Sequence, residues 1–392
     1  MGNKASFMHL PPVLFCFYIM GFCNIVGIST SYMQIDFHLG NAVAGLLPAA
    51  VFIWFLLLSV PATALVNKIG CKKTVLGGLM ITGVGAIIPF LMYNPVGCLL
   101  AFSLLGIGNV ALQVALNPLL SCVTPVEALP ASLTAGRMIE TFSAFCGPFV
   151  AAFAMSFWGH WYYVFPAFAV VAFMSSLWLS GTSVRECGRY VQATPKATFS
   201  LLKHAGAVSL FLAVFFVVGI DVGMNVLIPK LMMERCGNAI QDAALGSSVY
   251  FAFKVLGIFV GTVLLASLSG KNYFRIHILI ASVSLCLLFL VEDEYLILAL
   301  AGMVGFGCSS VFAVICSIAL KVFPKRVNEI SVLMMTAICG GAFIPLLMGV
   351  VTESGGAQTG ALAVIVVCFL YLLYFAFGKR ISAFDYGLYT SE

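Results

Sequence analysis

The sequence predicts an all-α polytopic membrane protein: twelve transmembrane helices in two six-helix halves, with both termini cytoplasmic. Three observations predict it. Of 392 residues, 62% are hydrophobic and 8% charged, against about 25% charged in an ordinary soluble domain. Uninterrupted apolar stretches of about 20 residues recur along the whole chain, the length a helix needs to cross a bilayer core about 30 Å thick. They lack the alternation of barrel strands, so helices are the remaining way to satisfy the backbone in lipid. Finally, fifteen of the nineteen Lys and Arg fall in alternate loops when the N-terminus is placed inside, the bias that sets membrane orientation.

The spans are read at 10–34, 40–66, 74–93, 96–124, 130–158, 161–184, 204–234, 241–269, 275–292, 294–323, 327–352 and 356–378. Charge, Gly and Pro mark the breaks, as in NKIGCKK at 67–73 and FPKR at 323–326. The longest polar break, RECGRYVQATPKATFS at 185–200, falls midway. The chain therefore divides into an N-terminal half (1–184), a cytoplasmic linker (185–203), a C-terminal half (204–378) and a cytoplasmic tail (379–392). The cytoplasmic side collects Lys68, Lys72, Lys73, Arg185, Arg189, Lys321, Lys325, Arg326, Lys379 and Arg380 among others, while Asp36, Asp242, Glu292 and Glu353 lie opposite. Thirteen cysteines are scattered singly, without CxxC pairs, so they are read as small apolar residues, with no metal site and no disulfide framework. The opening MGNKAS fits a myristoylation pattern, but an acyl anchor adds nothing to a chain already threaded through lipid.

Polar residues within the spans carry the functional argument, because a charge at the bilayer centre costs at least about 2.5–3.5 kcal/mol and is a functional candidate by default. Span 1 places Asn24 at mid-depth. Span 4 carries Asn109, Gln113 and Asn117 four residues apart, and each such step drifts only about 40° around a helix, so the amides share a face. Span 5 carries Arg137 and Glu140, whose i, i+3 spacing lets them pair. Span 7 holds Asp221 with Asn225 one turn on, and span 8 holds Lys254. Amides offer both donors and an acceptor, which suits a neutral polyhydroxylated ligand, and Phe22, Phe142, Phe145 and Phe251 are candidates to cover its apolar face. The alternative for a single Asn or Ser is interhelical glue, worth about 0.6 kcal/mol each. The small-residue run CGGAFIPLLMG at 339–349 has a counterpart in CGP at 146–148, a faint internal repeat that pairs Arg137 and Glu140 with Ile330 and Leu333. Repeat-built transporters hold substrate near the midplane between repeats.

The segment PATALVNKIGCKK at 61–73 resembles the loop motif between helices 2 and 3 of the major facilitator superfamily, with Gly70, Lys72 and Lys73 matching and Asn67 standing where the motif has an acid. Within that superfamily GFCNIVGIS (21–29), LQVALNPLL (112–120), ETFSAFCG (140–147) and SVLMMTAICGGAFIPLLMG (331–349) resemble the fucose–galactose–glucose:proton symporter group. The resemblance implies the major facilitator fold, alternating access around one central site, a small sugar as substrate and protons as coupling ion. It also implies carboxylates at two positions that here are Ile28 and Gln113. Asp221 is then favoured over Glu140 as the proton-linked group, since Glu140 has Arg137 beside it.

The leading expectation is thus a secondary transporter for a hexose or deoxyhexose, binding it through Asn24, Gln113, Asn117, Arg137, Asn225 and Lys254. It is placed as a monomer in a bacterial cytoplasmic membrane, without cofactor or nucleic-acid partner. In the nearest alternative Arg137 and Lys254 hold an anionic cargo, such as a sugar acid, an acidic amino sugar or an organic anion. An uncoupled facilitator is a further alternative. A polytopic enzyme is disfavoured, because the five His are far apart without acidic partners and the loops are too short for a catalytic domain. No GxxxxGK[ST] loop is present for ATP drive.

Overall fold

The computed structural model describes residues 2–184 and 194–378. The linker residues 185–193 and the tail 379–392, with Arg185, Arg189, Lys379 and Arg380, lie outside the described residues. Among the described residues, twelve helices are long and apolar enough to cross a membrane: α1 His9–Asp36, α2 Asn41–Ile69, α3 Cys71–Leu91, α4 Pro95–Val123, α5 Val126–Trp158, α6 Trp161–Gly181, α7 Ala205–Cys236, α8 Ile240–Leu265, α9 Gly270–Leu288, α10 Glu294–Val322, α11 Pro324–Gly355 and α12 Thr359–Phe377. They match the predicted spans to within a few residues at nearly every end.

Successive helices run in opposite directions, so the Lys- and Arg-rich ends gather on one face, called here the basic face. There the connection between α2 and α3 shrinks to Gly70, whose φ of 93° is open only to glycine without strain. The matched motif residues act locally. Lys72 Nζ donates to the carbonyls of Ser180 and Thr182 at 2.9 and 2.8 Å, satisfying orphan acceptors at the C-terminal end of α6. Lys73 is exposed. The Asn67 amide, where the motif has an acid, is buried and has no hydrogen-bond partner among the described residues. A short helix, Pro195–Ser200, lies along this face, where Arg326 donates to Ala197 O and Ser200 Oγ at 2.8 and 2.9 Å. On the opposite face Asp36 accepts from Tyr93 Oη at 2.5 Å and Trp161 Nε1 at 3.0 Å, tying α1 to the α3–α4 loop and α6. Burial and this carboxylate push the Tyr93 hydroxyl well above the ordinary tyrosine range, so it remains a donor.

In lipid the interior is held by close packing more than by water exclusion. One apolar cluster is drawn almost wholly from α7–α12 and two others mainly from α1–α6. Glycines set the closest helix approaches: a Cβ on Gly340 of α11 would collide with the Phe215 carbonyl of α7, and one on Gly106 of α4 with the Val51 carbonyl of α2. Many of the intramembrane hydroxyls bond to their own helix four residues back, as Thr30 does to Val26 O at 2.7 Å and Thr336 to Val332 O at 2.9 Å, a self-satisfying arrangement that needs no ligand. One reading is corrected here. Cys122 is not a small apolar filler but is disulfide-bonded; Cys16, Cys23, Cys98, Cys308, Cys339 and Cys368 are buried free thiols.

Helical regularity fails at mid-depth in three places. α1 passes through a 3₁₀ turn at Phe22–Ile25, α11 through another at Ala337–Cys339, and α10 breaks at Ser309–Ser310 between Glu294–Cys308 and Val311–Val322. Irregular backbone at this depth is tolerated where it borders a cavity.

Replacing Gly340 with Leu should force α11 from α7, with an overpacking cost of about 1–3 kcal/mol. The measurement is thermal unfolding of the purified protein, with Gly77→Leu, whose added Cβ meets nothing within 4 Å, as the control expected to unfold like the parent.

Candidate functional site

A cavity of about 750 Å³ lies between α1–α6 and α7–α12. It runs from mid-depth toward the basic face, where Asn117 and Thr134 line one side and Thr262 and Ser317 the other. Seven of the eight residues predicted to bind substrate or couple transport line it: Asn24, Gln113, Asn117, Arg137, Glu140, Asp221 and Lys254. Five helices deliver them, so the fold brings together side chains more than 200 positions apart.

The eighth, Asn225, does not line it. It is 1% exposed on α7, one turn beyond Asp221. Its Nδ2 donates at 2.6 Å to the carbonyl of Asn24 on α1. The reason is local: Gly27 leaves room on α1 for the Asn225 amide, which a Cβ at residue 27 would strike. Asn225 is therefore part of a seam closing the cavity on the acidic side. The same seam includes Lys230 Nζ donating to Asn41 Oδ1 at 3.3 Å and Ala42 N donating to Glu353 Oε2 at 2.7 Å. All three bonds cross between the first and the last six helices.

The charges in the cavity are paired. Arg137 Nη1 donates to Glu140 Oε2 at 2.8 Å along α5. Lys254 Nζ on α8 reaches both oxygens of Asp221 on α7 at 2.6 Å, and Tyr250 Oη, fully buried behind the cavity wall, donates to the same carboxylate at 2.8 Å. The ground for preferring Asp221 over Glu140 as coupling residue, that only Glu140 has a cation beside it, is thereby removed. Each pair neutralises itself, and the side chains are between 16% and 29% exposed. They are wet enough to avoid full desolvation but dry enough for the attraction to count.

Around these pairs the wall is amide and aromatic. Asn109, Gln113 and Asn117 all face the cavity, as their spacing requires. Of the four predicted aromatics only Phe251 lines it. Phe22 is stacked on Phe168 at 3.9 Å between ring centres, Phe142 points outward at 50% exposure, and Phe145 packs against Phe142 and Phe149. The rings actually present are Phe52, Phe55, Phe251 and Phe312. Phe312 of α10 lies 5.6 Å from the Arg137 guanidinium, a cation–π contact reaching across the two sets of helices. Sequence reading missed three of these rings, since a Phe in an apolar run carries no signal of its direction. It also missed Ser309 and Ser310, although two adjacent hydroxyls at mid-span are such a signal.

Residues 12–237 and 210–383 match the Major Facilitator Superfamily. A putative glucose/galactose transporter of Helicobacter pylori (strain J99) is 29% identical over 188 residues, which cover 46% of each chain, so the chain spans about half the length of that relative. A glucose/galactose transporter of Brucella abortus is 22% identical over 385 residues, covering 92% of this chain and 91% of the relative. Among solved structures, the fucose:proton symporter of E. coli superposes with a TM-score of 0.70 at 18% identity, covering 95% of this chain and 98% of that one. An inward-facing bacterial homolog of the human lysosomal transporter Spinster gives 0.73 at 15% identity, covering 99% and 98%.

Breaking one partner of a charge pair strands the other. Asp221→Asn and Lys254→Met should each destabilise the protein, by up to about 3–5 kcal/mol if the remaining group stays buried. The double variant should recover most of the loss. Thermal unfolding of the four proteins in detergent closes the cycle, and additive losses would show that the pair does not interact.

Proposed function

The chain belongs to the major facilitator superfamily, and from that premise we propose that it is a secondary transporter carrying a small neutral sugar, a hexose or deoxyhexose, by alternating access. The observation that carries this reading is the cavity: three amides on one face of α4, aromatic walls, and two ion pairs that leave no net charge for a charged cargo to answer. Hydroxyls of a sugar can exchange hydrogen bonds with Asn109, Gln113 and Asn117, and its apolar face can lie against Phe251 or Phe312. The glucose/galactose transporters among its relatives support the same substrate class.

The cavity reaches the basic face and is sealed on the acidic face by the bonds of Asn225, Lys230 and Glu353. With the basic face cytoplasmic, as the distribution of Lys and Arg directs, this is the inward-open state of a multi-pass protein of a bacterial cytoplasmic membrane, working as a monomer. The outward-open state would break the seam and close the α4–α5 and α8–α10 ends. An anionic cargo is less well served, because Arg137 and Lys254 already hold carboxylates, which the anion would have to displace. Proton coupling through Asp221 or Glu140 requires the carboxylate to leave its cation at some point in the cycle.

Purified protein in liposomes preloaded with unlabelled glucose, galactose or fucose should take up the same labelled sugar by counterflow. Gln113→Ala and Asn117→Ala should raise the half-saturating concentration, each by about five- to tenfold if one hydrogen bond worth about 1 kcal/mol or slightly more is lost. Absence of counterflow with all three sugars would count against this substrate class. A second test concerns the seam: Gly27→Val, which drives a side chain into the Asn225 amide, should lengthen spin-label distances between the acidic-face ends of α1 and α7. Unchanged distances would show that the seam does not depend on this contact.

A further inference from the structure

Closing the acidic face buries a charge that no counterion answers. Lys230 of α7 is 8% exposed, and its Nζ makes one hydrogen bond, to Asn41 Oδ1 at 3.3 Å across the seam. Among the described residues no carboxylate lies within 4 Å of it. Lys254, by contrast, holds both oxygens of Asp221 at 2.6 Å. An ammonium offers three donors, and in water all are hydrated. Here one long bond to a neutral amide stands in for that shell, and burying a charge so poorly paired is costly.

The acceptor depends little on the contact. Gln34 Nε2 donates to the same Asn41 Oδ1 at 3.0 Å, so Asn41 stays satisfied without Lys230. The neighbouring contact is underpaired too: Asn225 gives its Nδ2 to the Asn24 carbonyl, while its Oδ1 is buried with no partner among the described residues. Glu353 is exposed, so it keeps its water while accepting from Ala42 N. The cost of closure therefore falls mainly on Lys230.

Resting on the reading of the chain as an alternating-access carrier, we infer that Lys230 acts as a spring and not as a latch: its desolvation opposes the closed seam. Asn41 belongs to the other half, so parting the halves on this face returns the ammonium directly to water. The empty carrier is thereby biased toward the state open to the acidic side. Cargo arriving there meets more carriers ready to bind, which lowers the concentration needed for half-saturation from that side. A latch and a spring predict opposite signs when the charge is removed.

The test uses the purified full-length protein without sugar. Spin labels are attached through an encoded noncanonical residue at Val43 of α2 and Thr359 of α12, both exposed at the acidic-face ends of their helices. The parent is expected to show two distances, the longer one from the open acidic side. Lys230→Met should raise the ratio of short to long about tenfold, the size expected when a stranded buried charge is removed. Lys230→Gln, which keeps a donor for Asn41 but no charge, should shift the ratio the same way, and either variant alone suffices. A fall in the ratio would make Lys230 a latch, and an unmoved distribution would show that it exerts no bias; each overturns the inference. Counterflow of labelled galactose is measured on the same preparations. Its absence would count against the sugar as cargo and leave the distances to decide the inference.

Discussion

Charge must be neutralised where there is little water, and the cavity is built around that requirement. Two cations and two anions stand at mid-depth in a chain that is otherwise almost free of intramembrane charge, and each finds its opposite within about 3 Å. Pairing inside one half, instead of between halves, has two consequences. The cavity has no net charge, which favours a neutral ligand bound by hydrogen bonds and ring contacts. The halves also remain free to move without separating an ion pair, a step that would be costly in low dielectric.

The polar contacts that join the halves on the acidic face are correspondingly weaker. The acidic-face seam consists of an amide on a backbone carbonyl, an ammonium on an amide oxygen, and a carboxylate on one backbone N–H. Each is a single bond of modest net worth, readily exchanged for water. Such contacts suit the alternating access proposed above; tight glycine-set approaches occur within halves, at Gly106 and Gly340, and also across the seam, at Gly27 against Asn225 and Gly349 against Asn41. The irregular backbone of α1, α10 and α11 at mid-depth belongs to the same economy of design: carbonyls released from helical bonds are tolerable because a cavity lies beside them.

Much of this was legible in the sequence, and the residues show why. The twelve spans followed from length and apolarity, which lipid enforces. The Arg137–Glu140 pair was legible because both residues ride one helix, where spacing fixes the neighbour. The α4 stripe was legible for the same reason. The Asp221–Lys254 pair was not, because it joins two helices whose rotation about their own axes is set by packing that no local pattern encodes. Asn225 looked like a ligand contact one turn from Asp221, yet that one turn moves it from cavity to seam. The aromatic wall was the least legible, since Phe52, Phe55 and Phe312 differ from lipid-facing Phe residues only in direction. The disulfide at Cys122 left no trace in spacing either.

A neutral site whose cations are already occupied should tell galactose from its carboxylate analogue, which competition at the purified protein measures. Labelled galactose is bound and then challenged with unlabelled galactose or with galacturonate, its carboxylate analogue of nearly equal size. Galactose should displace the label and galacturonate should displace little or none, because no unpaired cation awaits the carboxylate. Stronger displacement by galacturonate, lost on Arg137→Gln or Lys254→Met, would contradict it and mean that the ion pairs open to receive an anionic cargo.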